Sequence, residues 1–125
     1  MTEPADSAAA APEPLTPERA LERLRELSTD VRAAVLIGPG GEAAATPEGR
    51  PADELGGVVA DLMKRADDTA SDPLEELEVT TTLGAVFAAR RGGWTLAAVA
   101  ERTALASLML FDIRSVMEQM GIEGA

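Results

Sequence analysis

The sequence contains no cysteine and no histidine, and its only aromatic residues are one tryptophan and two phenylalanines. The chain therefore lacks a thiol nucleophile, the most common general base and the usual ligands of structural zinc. So few aromatic side chains also leave no stacking platform for a sugar. A nucleophile elbow G-x-S-x-G and a phosphate loop G-x-x-x-x-G-K-[ST] are both absent from the sequence. We predict a protein that is not an enzyme and that holds no metal or cofactor.

Positive charge is also scarce, with 11 basic against 22 acidic residues and a formal net charge of −11. Binding of nucleic acid depends on Lys and Arg neutralising phosphates, so this balance argues against a nucleic-acid partner. No apolar run approaches the roughly 18–20 residues of a membrane span, which predicts no membrane insertion. The acids Glu3 and Asp6 do not fit the start of a secretory signal. We expect a cytoplasmic protein.

The length of 125 residues fits one domain. Residues 1–14 are a low-complexity mixture of alanine, proline and acids. Such a segment cannot bury enough apolar area to offset the entropy of ordering it. We therefore predict a disordered tail over residues 1–14 and a folded domain over residues 15–121.

The most informative stretch is 79–101, which reads as three strands joined by tight turns at Gly84 and at Gly92-Gly93. The predicted strands cover residues 79–82, 85–91 and 94–100. The second and third are apolar on both sides, so both of their faces must be covered by helices. The first has one polar side, which is typical of an edge strand.

The rest of the chain supplies two more strands, predicted over residues 31–37 and 42–46, and three helices. The first helix begins at Thr16, with Pro17 in its first turn, and the second covers residues 53–70. The third covers residues 104–120, and its predicted inner face consists of Leu105, Leu108, Met109, Ile113, Val116 and Met120. Placing the strands that are apolar on both faces inside the sheet gives the order 2-1-5-4-3. The predicted fold class is a three-layer α/β/α sandwich with a five-stranded, largely antiparallel sheet. Helices one and three lie on one face and helix two on the other.

Helix two alone cannot cover its face, because five strands span roughly 24 Å and a helix is about 10 Å wide. A second copy that paired through the third strand would supply the missing helix. Small residues at Ala52, Gly56 and Ala60 would let two helices approach closely. The alternative interpretation is that these residues pack on the chain's own sheet. The predicted interface of such a homodimer consists of Gly56, Ala60, Met63, Val79 and Thr81.

The hairpin VLIGPGGEAAA, the helix over residues 55–66 and the stretch VTTTLGAVFAARRGGWTLAAVAE before a closing helix together resemble the roadblock family. This family comprises the dynein light-chain roadblock proteins and their bacterial relatives, and the resemblance covers about residues 16–120. The family often has an acidic residue before glycine in the first hairpin, where this chain has Gly38-Pro39-Gly40-Gly41. The resemblance implies a non-catalytic homodimer joined through edge strands and second helices. It further implies a role in bacterial signalling or polarity, as an activator or adaptor of a small Ras-like GTPase.

Four charged residues near the third and fourth strands are candidate partner contacts, namely Arg90, Arg91, Glu76 and Glu78. The simpler interpretation is that both arginines are exposed charges at the tip of a hairpin and that the acids belong to a solvated loop. Two function classes stay open at this stage. One is a GTPase regulator or adaptor; the other is a ligand-sensing or structural scaffold module of roadblock/longin-like fold.

Overall fold

The computed structural model describes residues 13–46, 52–70, 74–80, 82 and 84–122, and of residues 52–55 it describes the backbone. The elements in chain order are α1 (Pro17–Leu27), β1 (Val31–Ile37), β2 (Ala43–Thr46), α2 (Ala52–Thr69), β3 (Glu76–Thr80), β4 (Ala85–Arg91), β5 (Trp94–Ala100) and α3 (Ala106–Gln119). Within these ranges no helix is long and apolar enough to cross a membrane. The predicted tail falls outside the described residues except for Glu13 and Pro14.

The five strands form one sheet in the order β2-β1-β5-β4-β3, and every neighbouring pair is antiparallel. The predicted fold class is therefore confirmed. At the centre, β1 pairs with β5 through small side chains, with Ala34 opposite Ala98. A bulge between Val31 and Ala33 shifts the register there, so that Val31 faces the same side as Ala34.

Helices α1 and α3 cover one face of this sheet and share its buried cluster, in which Phe87 and Leu96 are large members. Helix α1 begins as the sequence predicts. The side-chain oxygen of Thr16 accepts a hydrogen bond from the backbone N–H of Arg19 at 3.2 Å, and Pro17 follows at the first helical position.

Strand β3 begins at Glu76 and ends at Thr80, so its start lies three residues before the predicted one. The register with β4 explains the difference. Leu77 lies opposite Ala88, while Thr80 lies opposite Ala85, the first residue of β4. The cross-strand partners thus fix the limits of β3, and the run of β-branched residues does not. Thr81 lies outside the described residues.

The predicted inner face of α3 is wrong at its start but correct further along, where Met109, Ile113 and Val116 are buried. Leu105 and Leu108 were expected to face the core, but they are 68% and 53% exposed. The buried face consists of Met109, Asp112, Ile113, Val116 and Met117. Apolar residues occur almost all round this helix, so their spacing alone does not determine which side packs on the sheet.

Helix α2 covers the other face, and it runs across the strands from β2 towards β4. A Cβ atom on Gly56 would lie 3.1 Å from the Cβ of Ala43, so the first half of the helix packs closely on β2. Further along, Val59 and Met63 bury their side chains against the centre of the sheet, in a cluster completed by Val35, Ala88 and Ala97.

Candidate interaction surface

The face under α2 is covered over only part of its extent. Val79, Val86 and Val99 lie opposite one another on β3, β4 and β5, and each is half-buried. Along its strand, each valine lies two residues from a member of the apolar cluster under α2, namely Leu77, Ala88 or Ala97. Side chains two apart in a strand point to the same face, so all three valines point to the α2 side. We call these three residues the valine row. On α2 itself Val58 is 63% exposed. Apolar side chains are therefore open to water both on the helix and on the sheet.

The outer edge of β3 borders the valine row. Among the described residues no strand pairs with this edge, because β4 is the single neighbour of β3 in the sheet. The opposite edge strand, β2, lies beside α1, where the guanidinium of Arg25 donates to the hydroxyl of Thr46 at 3.5 Å. An edge strand with free backbone groups is a template for pairing with another chain. Strand β3 is thus the more open of the two edges.

The residues predicted for a dimer interface have different surroundings. Gly56 and Met63 contact the chain's own sheet. Ala60 is exposed and lines a groove of about 340 Å³ together with Ile37, Gly41, Ala43, Gly56 and Gly57. Val79 belongs to the valine row, and Thr81 lies outside the described residues. Their role in a dimer stays a prediction.

Arg90 joins β4 to the end of α2. Its guanidinium donates to both carboxylate oxygens of Asp67, at 2.7 and 3.0 Å, and to the carbonyl of Leu74 at 2.6 Å. The carboxylate of Asp67 also accepts from the backbone N–H of Leu74 at 2.9 Å. These hydrogen bonds, first those from Arg90 and then that from Leu74, lower the pKa of Asp67. The cluster fixes the position of α2 over the sheet.

Arg91 points to the other face, towards α3. Its guanidinium lies 3.1 Å from a carboxylate oxygen of Glu76, and Arg114 of α3 reaches the same oxygen at 2.6 Å. Burial works to raise the pKa of Glu76, but the hydrogen bonds from Arg114 and Arg91 outweigh it and the pKa is lowered. The Arg91 side chain is only 13% exposed. It is therefore not the exposed tip charge that the sequence suggested, because β3 and α3 bring a carboxylate and a second arginine to it.

The four candidate contact residues do not form one patch. Arg90 lies on the α2 side of the sheet, whereas Arg91, Glu76 and Glu78 lie on the α3 side, and Glu78 is exposed. Among the described residues no group of three or more acidic side chains is placed to hold a metal ion. The sequence-based reasoning also missed the exposed apolar residues of α3, although the nearly continuous apolar character of that helix was the available signal.

Comparisons with known proteins find matches among solved structures. A roadblock/LC7 domain from Streptomyces avermitilis superposes with a TM-score of 0.71 at 15% identity, over 82% of this chain and 92% of that one. The gliding protein MglB from Thermus thermophilus gives a TM-score of 0.67 at 20% identity, over 89% and 95% of the chains. A structure of MglB with a tetrameric arrangement gives 0.68 at 20% identity, over 89% and 94%. This chain has the roadblock/LC7 fold.

The roadblock resemblance of the sequence is therefore confirmed at the level of the fold. No protein-family model matches the sequence, and no curated protein is significantly similar to it. One fold can carry several functions, so the roadblock/LC7 fold by itself does not assign a partner.

Proposed function

We propose that the chain is a homodimeric regulator or adaptor of a small Ras-like GTPase, and that two copies join through the outer edges of β3. The observation that carries the proposal is that β3 is an unpaired edge strand bordering a half-covered apolar face. Antiparallel pairing of two β3 strands would satisfy the free backbone groups and continue the sheet from one copy into the other.

The same arrangement accounts for the valine row. A two-fold axis at the β3 edge turns the second copy by 180° in the plane of the sheet. Both α2 helices then lie on the same side of one continuous sheet, and the two valine rows meet between them at the joined β3 edges, where the second copy would cover them. Because apolar area removed from water contributes roughly 25 cal/mol per Å², covering this area favours the dimer.

The GTPase partner is supported by the roadblock resemblance, since bacterial members of that family act beside small Ras-like GTPases. The likeness in fold to roadblock/LC7 domains and to MglB agrees with it. The sequence has no phosphate loop, histidine or cysteine with which to process a nucleotide alone. In this proposal the dimer acts as a docking platform and contributes its surface.

Light scattering at micromolar concentration tests the dimer. We expect the wild type to have twice the monomer mass and Val79→Lys to be a monomer, because the lysine would place a charge in the apolar face that the second copy covers and on the strand edge that it pairs with. The control is Leu108→Lys on α3, which places the same charge at an exposed site on the opposite face and should stay dimeric. A monomeric wild type contradicts the dimer, and a dimeric Val79→Lys variant contradicts the β3 route.

Binding to GTPases is measured on the same preparations. The purified chain should not hydrolyse GTP, and it should bind a matching small Ras-like GTPase with an affinity that depends on the bound nucleotide. Calorimetry against a panel of bacterial Ras-like GTPases, each loaded with GDP or with a non-hydrolysable GTP analogue, gives this affinity. A dimer that binds none of them would favour the scaffold function instead.

A further inference from the structure

Helix α3 carries exposed apolar side chains on the face of the molecule opposite to α2. Leu105, which directly precedes the helix, and Leu108 and Phe111 within it recur at every third position, and all are more than half exposed. Leu27, at the end of α1, is also exposed. The hydroxyl of Ser28 lies 3.2 Å from the sulfur of Met109, which places the end of α1 beside the first turns of α3. We call Leu27, Leu105, Leu108 and Phe111 the α3 patch. Large apolar side chains exposed near one another are typical of an interaction site.

A buried carboxylate lies next to the α3 patch. Asp112 is 7% exposed, follows Phe111 directly and comes one helical turn after Leu108. In the part of the chain that the structure describes, no cation or hydrogen-bond donor binds this carboxylate, and Arg114, two residues further along α3, binds Glu76. Burial raises the pKa of Asp112. A buried acid without a partner is costly to the fold, and nothing within the described chain compensates for it.

We propose that the α3 patch and Asp112 together dock an amphipathic helix of a partner protein, and that this helix carries an arginine within its apolar face. The patch runs obliquely over the first two turns of α3, which suits the apolar face of a helix that crosses α3 at an angle. The arginine is required by Asp112, because a guanidinium can donate two parallel hydrogen bonds to a carboxylate and tolerates burial better than an ammonium group. A chain with a net charge of −11 also attracts a basic segment.

Two other occupants fit less well. A second copy of this chain, related by two-fold symmetry about the patch, would bring two Asp112 carboxylates towards each other in apolar surroundings, and like charges there are unfavourable. An anionic membrane surface would repel a protein with this net charge. The α3 patch lies on the face opposite to the valine row, so the proposal does not depend on the proposed dimer or on its GTPase.

The test is a selection against the purified full-length chain. The probe is a displayed library of helical peptides of about 18 residues, long enough to hold helical structure when docked. Leucines are fixed at i, i+3 and i+7, and the central position of the apolar face is randomised. We expect arginine to be enriched at that position. The affinity of a selected peptide, measured by fluorescence anisotropy, should fall at least about tenfold in Leu108→Glu, which places a charge in the patch.

Asp112→Asn separates the carboxylate from the apolar patch. This variant removes an unpaired buried charge, so it should fold at least as well as the wild type, as circular dichroism will report. It should still bind leucine-rich peptides, but the preference for arginine over norleucine at the central position should disappear. Val58→Glu, on the α2 face, is the matched control and should bind every peptide as the wild type does. The proposal is overturned if no peptide is enriched, if the central position shows no preference for arginine, or if Leu108→Glu binds normally.

Discussion

The two faces of the sheet are formed by the same five strands, but different numbers of helices cover them. On one face α1 and α3 enclose a continuous cluster that contains Phe87, Leu96, Met109 and Ile113, all nearly inaccessible to water. On the other face α2 alone covers a smaller cluster around Val59 and Met63, and the valine row stays half-exposed. The strands supply apolar side chains to both faces, so the number of covering helices makes the difference. The face with one helix is the one that the second copy of the proposed dimer would cover.

The largest expected effect comes from truncating a side chain under the two helices. Phe87→Ala leaves a cavity in the larger cluster and should reduce the free energy of unfolding by about 3–5 kcal/mol. Met63→Ala, the counterpart under α2, should cost about 2–3 kcal/mol, at the low end for its type, because a half-open face can relax more easily. Urea unfolding of both variants at one protein concentration gives the comparison. Equal losses would mean that the two faces contribute equally to stability.

A smaller effect is expected from the adjacent glycines of α2, which distinguish contact with the sheet from exposure. Gly56→Leu should cost about 1–3 kcal/mol of folding stability by overpacking, since even a Cβ there lies 3.1 Å from that of Ala43. Gly57→Ala should instead stabilise the chain by about 0.5–1 kcal/mol, because a Cβ at Gly57 meets no atom within 4 Å. Thermal melting measures both variants. A stabilising Gly56→Leu would show that α2 does not pack on β2 as described.

The pattern of glycine turns and two-sided apolar strands was sufficient to predict the order of the sheet. Strands over residues 31–37, 85–91 and 94–100 could be placed to the residue, because turns such as Gly92-Gly93 limit them sharply. The half-polar strand ELEVT was harder to place, since its start depends on pairing with Ala88 and Ala89, which lie in a different strand.

The candidate surfaces were harder to predict, because they depend on how the elements pack. The side of α3 that faces the core follows from its contact with the sheet, and spacing did not reveal that Leu105 and Leu108 stay exposed. The surroundings of Arg91 likewise depend on Arg114 of α3, because both arginines bind the carboxylate of Glu76. Long-range contacts of this kind leave no periodic signal in the sequence.

The smallest effects concern pH, where the two faces carry aspartates with opposite shifts. The pKa of Asp67 is lowered from 3.8, so its ion pair with Arg90 adds stability above that value and loses it as the pH falls through the lower folded value. The pKa of Asp112 is raised from 3.8 by burial, so its ionised form reduces stability at neutral pH.

Melting temperatures between about pH 7 and pH 3 distinguish the two aspartates. Asp67→Asn should lower the melting temperature near neutral pH and make the remaining stability less sensitive to acid. Asp112→Asn should raise the melting temperature near neutral pH. In acid, the wild type is stabilised when Asp112 becomes protonated, and the variant should not show this increase in melting temperature. A destabilised Asp112→Asn variant would indicate that the carboxylate has a structural partner.

The antiparallel pairing of β1 with β5 has a consequence for the kinetics of folding. The hairpin of β1 and β2 and the three-stranded unit of β3, β4 and β5 each pair residues that are close in sequence, whereas the β1–β5 pair joins Ala34 to Ala98 across the whole of α2. Closing so long a loop loses chain entropy before any contact is gained. We therefore expect the slow step of folding to be the pairing of β1 with β5, and we expect α2, which packs on residues of β1, β4 and β5, to hold the two parts of the sheet together once they have met.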